Sequence, residues 1–168
     1  SGTFTSGNAF NNVTLSPSIS STGRTYTFGS GALSITGDFT VQPTGTQLLT
    51  VNMAGDITVA NNKTTTITKS STATSKLVTG AGNPAFSSGN ITIASGGTLD
   101  GTGSTSTITL TANSTPFTVS GTFTPGSTTI AYVPSSTTGV TVASTTYYNV
   151  TFNKASNTFS LTTSGITV

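Results

Sequence analysis

Chemistry needs side chains that take a proton, attack or hold a metal, and this sequence carries few. Its acids are Asp38, Asp56 and Asp100, and its cations are Arg24, Lys63, Lys69, Lys76 and Lys154. His, Cys, Glu and Trp are absent. The usual triads, thiol chemistry and zinc sites therefore have no members. Asp38 and Asp56 each follow a glycine, in Gly37-Asp38-Phe39-Thr40-Val41 and Gly55-Asp56-Ile57-Thr58-Val59. Carboxylates placed alike in consecutive modules are expected to stack on one turn, where they would suit a paired-acid hydrolase or a calcium ion. The plainer reading is that Asp after Gly closes a turn by bonding its own backbone. No calcium-binding nonapeptide pattern accompanies them. With 25 serines in the chain, any lysine lies near a hydroxyl, so a Lys–Ser dyad has no support. These residues point to no catalytic group, no metal and no cofactor.

The elements that would position such groups are strands. Ser and Thr make up about two fifths of the chain, while charged residues are only 5%. A composition of that kind suits a disordered stalk unless β-branched and aromatic residues recur. Here Thr, Val and Ile alternate throughout, with nine Phe and four Tyr, and the mean hydropathy is +0.09. Alternation of this sort specifies half-buried strands. Helix faces would carry Glu, Lys and Arg, which are scarce, so essentially no α-helix is expected.

A short module recurs: glycine, then a variable residue or none, then apolar-Thr-apolar. Besides the two Asp-bearing copies it appears as Gly89-Asn90-Ile91-Thr92-Ile93, Gly139-Val140-Thr141-Val142 and Gly165-Ile166-Thr167-Val168. Longer echoes are Ser1-Gly2-Thr3-Phe4-Thr5 with Ser120-Gly121-Thr122-Phe123-Thr124, and Asn12-Val13-Thr14-Leu15 with Asn149-Val150-Thr151-Phe152. Strands are expected at 25–28, 48–52, 64–68, 105–111, 117–119, 129–133 and 158–161. Self-similar modules at irregular spacing fit stacked coils, which accept loop insertions at their corners. The sequence is thus read as one all-β domain, residues 1–168, forming a right-handed β-helix-like β-solenoid. Coils of roughly 20 to 30 residues would give six to eight layers. Residues 61–88, with their lysines and Asn83-Pro84, are expected as a lateral excursion. The alternative architecture is an Ig-like or jelly-roll β-sandwich acting as a filament subunit.

Gly97-Thr98-Leu99-Asp100, the stretch Ser120 to Gly126 and Tyr147-Tyr148-Asn149-Val150-Thr151-Phe152-Asn153 resemble the repeats of large prokaryotic surface proteins of the β-solenoid type. The resemblance covers most of the chain. It implies an extracellular stalk, adhesin or surface-layer role and carries over no catalytic residue.

From these readings the expected function is a non-catalytic structural component of an extracellular assembly. Its partners would be copies of itself or neighbouring repeats, meeting through open strand edges, with Ile166, Thr167 and Val168 as the strand available for donation. The alternative is an adhesin that recognises glycan, cell wall or ice through a flat Thr-rich face, suggested by runs such as Thr64, Thr66, Thr68 and Thr105, Thr107, Thr109, Thr111. Tyr147-Tyr148 is the one aromatic pair that could face a sugar. Alternation turns Tyr147 into the core and leaves Tyr148 exposed. Asn12, Asn62, Asn90, Asn113 and Asn149 stand in N-glycosylation context. About five such sites follow from this composition alone; Asn12 and Asn149 stand out as repeat equivalents. The basic residues are scattered, which excludes a nucleic-acid surface, and no apolar run is long enough for a transmembrane helix.

Overall fold

A computed structural model of the chain describes residues 2–4, 9–80, 82–154, 157–161 and 167–168. Among these there is no helix, and all strand pairing is parallel. The chain winds as a β-solenoid of about five turns. A sandwich of antiparallel hairpins is therefore ruled out.

Each coil lays one strand on each of three sheets. The first coil has β1 (Gly2–Phe4), β2 (Ala9–Phe10) and β3 (Val13–Leu15), with β4 (Ser18–Ile19) at the following corner. The second has β5 (Arg24–Phe28), β6 (Leu33–Ile35) and β7 (Phe39–Val41), with β8 (Thr44–Gly45) pairing β4. The next three are β9 (Leu49–Met53), β10 (Ile57–Val59) and β11 (Thr64–Ile67); β12 (Ser75–Val78), β13 (Phe86–Ser88) and β14 (Asn90–Ile93); and β15 (Gly97–Asp100), β16 (Thr107–Leu110) and β17 (Phe117–Val119). Beyond them lie β18 (Thr122–Thr124), β19 (Thr129–Tyr132), β20 (Val140–Val142), β21 (Asn149–Phe152) and β22 (Phe159–Leu161). The first sheet runs from β1 to β18, the second from β2 to β21 and the third from β3 to β17, while β20 pairs with β22 and meets Ser114 in one isolated bridge at Val140.

The stack is shorter than the expected six to eight layers because, among the described residues, the chain past β19 supplies no further strand to the third sheet. Residues 61–88, expected as an excursion, instead place β11, β12 and β13 on the three sheets in turn. The irregular module spacing is also explained. The modules at Gly37 and Gly89 enter the third sheet two coils apart, and the module at Gly55 enters the second sheet. A module is one side of a coil, so two of the three sides share one style of sequence.

Packing follows from strand alternation. One residue in two points inward, and its equivalent stacks on it from the next coil at about 4.8 Å. On the second sheet this gives the column Leu33, Ile57, Phe86, Ile108, Ile130, Val150. On the third sheet the column is Val13, Phe39, Thr65, Ile91, Phe117. Thr65 is the polar member of that column, and its buried hydroxyl meets Ser88 Oγ at 2.9 Å across the core. A buried hydroxyl is tolerated when it is partnered in this way.

Candidate functional site

The acids were the first candidates, and the structure separates them. Asp38 lies on the corner before the third sheet and Asp56 on the corner before the second, so they do not stack. Neither bonds its own turn as expected. Asp38 Oδ1 accepts the backbone N–H of Thr64, one coil on, at 2.9 Å, and Asp56 Oδ1 accepts that of Ala85 at 2.7 Å. Asn12 serves Asp38 N–H at 2.8 Å, Asn83 serves Thr105 N–H at 2.7 Å and Asn113 serves Ser136 N–H at 3.1 Å. These short side chains act as staples from coil to coil, supplying acceptors where the strand ladders break at corners. Asp38→Ala is expected to lower stability by about 1 kcal/mol, whereas Asp38→Asn keeps the acceptor and most of the stability. Urea unfolding of the two variants tests this. Equal losses would mean that the negative charge, not the acceptor, matters.

Asp100 forms an ion pair with Lys76 on the outer side of the first sheet. Its Oδ2 meets Lys76 Nζ at 2.5 Å, and its Oδ1 accepts Thr102 N–H at 2.8 Å. Burial alone would raise its pKa, but the hydrogen bonds from Lys76 and Thr102, with the lysine charge, together hold it below the ordinary 3.8. A carboxyl depressed in the folded state stabilises the fold above its unfolded value and loses that contribution as pH falls through the folded one. The loss below about pH 4 is expected to be about 1 kcal/mol or less, because solvent screens the half-exposed lysine. Asp100→Asn should flatten that acid limb of the stability–pH curve.

No group of three or more His, Cys, Asp or Glu gathers among the described residues. What the coils do assemble is neutral. On the outer face of the third sheet, Thr14, Thr40, Thr66, Thr92 and Thr118 stand in direct register on five successive strands. The matching outer column of the first sheet is interrupted by Lys76, and that of the second by Ser34, Ser87 and Ala131. The threonine column therefore runs about 19 Å without a charge.

Two tyrosines form a structure that sequence reading missed in part. Tyr147 is buried and Tyr148 is 54% exposed, as alternation implied. Tyr132, which nothing in the strings singled out, is buried beside Tyr147, with the two hydroxyls 2.9 Å apart. Tyr147 Oη donates to Ala143 O at 2.8 Å, and Ala143 N–H donates to Tyr132 Oη at 3.3 Å, which closes a ring. Burial pushes both phenols above their usual range, so both stay protonated.

The remaining predicted positions are scattered. Asn12, Asn62 and Asn149 are exposed, while Asn90 begins β14 half-buried. Asn113 Nδ2 is already turned toward Ser135 Oγ at 3.4 Å. Asn12 and Asn149, equivalent in the strings, fall on different sheets, Asn12 just before β3 of the third and Asn149 at the start of β21 of the second. Ile166 lies outside the described residues. Thr167 pairs with Thr146, its carbonyl accepting Tyr147 N–H at 2.8 Å, and Val168 is 72% exposed.

Compared with protein-family models, curated proteins and solved structures, the chain has no significant match in any of the three.

Proposed function

We propose that this chain is a non-catalytic structural component of an extracellular surface assembly and that it associates end to end through its open coils. One observation carries the reading. On the second sheet inward residues stack from Phe10 through Ile35 to Val59 and from Ser88 through Leu110 and Tyr132 to Phe152. The two runs lie beside the pairs Ile57–Phe86 and Thr58–Ser87 that join β10 to β13. Their outermost members, Phe10 and Phe152, are half-exposed phenylalanines, 37% and 42%. Beside Phe10 lies an apolar recess of about 230 Å³ walled by Val13, Leu15, Phe28 and Leu33. At the other end Phe152 stacks on Tyr132 and packs at a tilt against Phe159, and Leu161 and Tyr148 are exposed. Covering such ends with another coil, from a neighbouring repeat or another copy, continues the stacking and pairs the edge strands. Head-to-tail contact of this kind is heterologous and propagates. The scarcity of charge and the Ser/Thr surface support an extracellular setting.

Negative-stain electron microscopy of dilute and concentrated protein is the test. Uniform fibres that Phe152→Asp abolishes are expected. Particles that stay monomeric at every concentration would sink self-assembly of this chain.

The threonine column favours a second reading, an adhesin or binding module for glycan, cell wall or ice. A flat, uncharged hydroxyl-and-methyl ladder at strand spacing suits a regular surface. Thr66→Lys should abolish binding to insoluble polysaccharide or ice while leaving the thermal midpoint nearly unchanged; binding that survives this charge rejects the column as the contact face.

A further inference from the structure

The third sheet ends in the interior of the chain. From coil to coil it is sewn by one recurring bond, in which an inward residue's carbonyl accepts the N–H 27 positions on. The series is Leu15 to Gln42 at 2.9 Å, Val41 to Thr68 at 3.0 Å, Ile67 to Ala94 at 2.9 Å and Ile93 to Ser120 at 2.8 Å. Its next member would join Val119 to Thr146. Among the described residues that bond is not formed, and the chain there bridges Thr167 through Tyr147 N–H and Thr145 O. Ala143, one 26-residue step beyond Phe117, is likewise diverted. Its N–H and carbonyl are taken by the hydroxyls of Tyr132 and Tyr147. The coils touch at Ser114, whose carbonyl accepts Thr141 N–H at 2.6 Å, and then part.

Between them opens a cleft of about 260 Å³, with Thr115, Phe117 and Val119 on one wall and Thr141, Ala143 and Ser144 on the other. β17 bonds β14 through Pro116 O and Ser120 N–H. Backbone groups of a strand alternate sides, so those of Phe117 and Val119 face the cleft. Strand backbone with no partner is a template for another extended chain. The tyrosine hydroxyls satisfy the backbone of Ala143 on the opposite wall, so Ala143 has no need of Phe117 as a partner.

The geometry points to a peptide-binding site: the β17 edge takes an extended, uncharged segment of a partner protein by strand addition. Extended backbone is the ligand chemistry that offers donors and acceptors alternating at strand spacing. No lining residue is ionisable, which selects against charged side chains at the buried positions. This site is separate from the coil ends invoked above, and either can fail without the other.

The test is amide exchange of the full chain with a capped peptide of alternating threonine and valine. A second peptide of the same sequence, N-methylated at alternate amides, serves as control. At saturation the first should slow exchange at Phe117 and Val119 about tenfold or more, and the second should not. No protection, equal protection by both peptides, or protection confined to β2 and β21 would each overturn the assignment.

Discussion

Replacing Phe86 by alanine is expected to cost about 3–5 kcal/mol. Phe86 is fully buried between Ile57 of the preceding coil and Ile108 of the following one. Truncation leaves a void walled by those two side chains. The neighbouring backbones are pinned by Ile57 N–H to Ala85 O at 3.0 Å and cannot collapse onto it. Because a solenoid coil is stabilised mainly by its two neighbours, damage in the fourth coil should also weaken the coupling between the halves of the stack. Urea unfolding should show a lower midpoint and a shallower transition. Phe86→Leu should restore most of the midpoint, and Phe152→Ala, at a half-exposed position, should cost about 1 kcal/mol or less. A loss for Phe86→Ala as small as that of Phe152→Ala would mean that the coils relax independently.

Much of this arrangement can be read in the sequence, but at the wrong scale. Alternation of Thr with Ile, Val and Phe identified strands because period two is a local property. Coil length is not local. The glycine-headed strings at residues 37, 55 and 89 look like one repeat, yet they occupy two different sheets. The intervening coil enters the third sheet with Lys63-Thr64 where its neighbours have Gly-Asp and Gly-Asn, which hides it. The true period was visible at a spacing of 26: Thr14, Thr40, Thr66, Thr92 and Thr118 recur at that interval, flanked by apolar residues except at Thr65. Corner loops elsewhere vary and compensate, so the first and second sheets do not keep it.

The staples formed by Asn12, Asp38 and Asp56 were not legible, because their partners lie 26 to 29 residues away in backbone that carries no sequence signature. Tyr132 escaped notice for a related reason. Its strand reads as an ordinary buried one, and its hydroxyl matters through Ala143, which no motif marks. The same pair shows how two side-chain hydroxyls replace backbone pairing and leave an edge open within an otherwise continuous ladder.

Gly55→Ala is expected to cost about 3 kcal/mol even though alanine is the smallest change available. Gly55 does not have a positive φ, so left-handed backbone is not the reason for glycine here. The reason is approach. A Cβ at this position would lie 2.5 Å from Gly31 O, 2.6 Å from Gly29 O and 2.7 Å from Ser30 C, all backbone of the preceding coil. Moving that backbone strains the bond from Leu33 N–H to Asp56 O at 2.8 Å, which starts the pairing of β6 with β10. Gly103 is the contrasting case. Its φ is +75° and a Cβ there meets nothing within 4 Å, so Gly103→Ala should cost only about 1 kcal/mol of left-handed strain. Thermal or urea unfolding of the two variants separates the mechanisms. If Gly55→Ala proved as mild as Gly103→Ala, the corner would be yielding and coil spacing would be set by the strands. A markedly larger loss at Gly55 makes the glycine corners the points that fix how closely successive coils can stack.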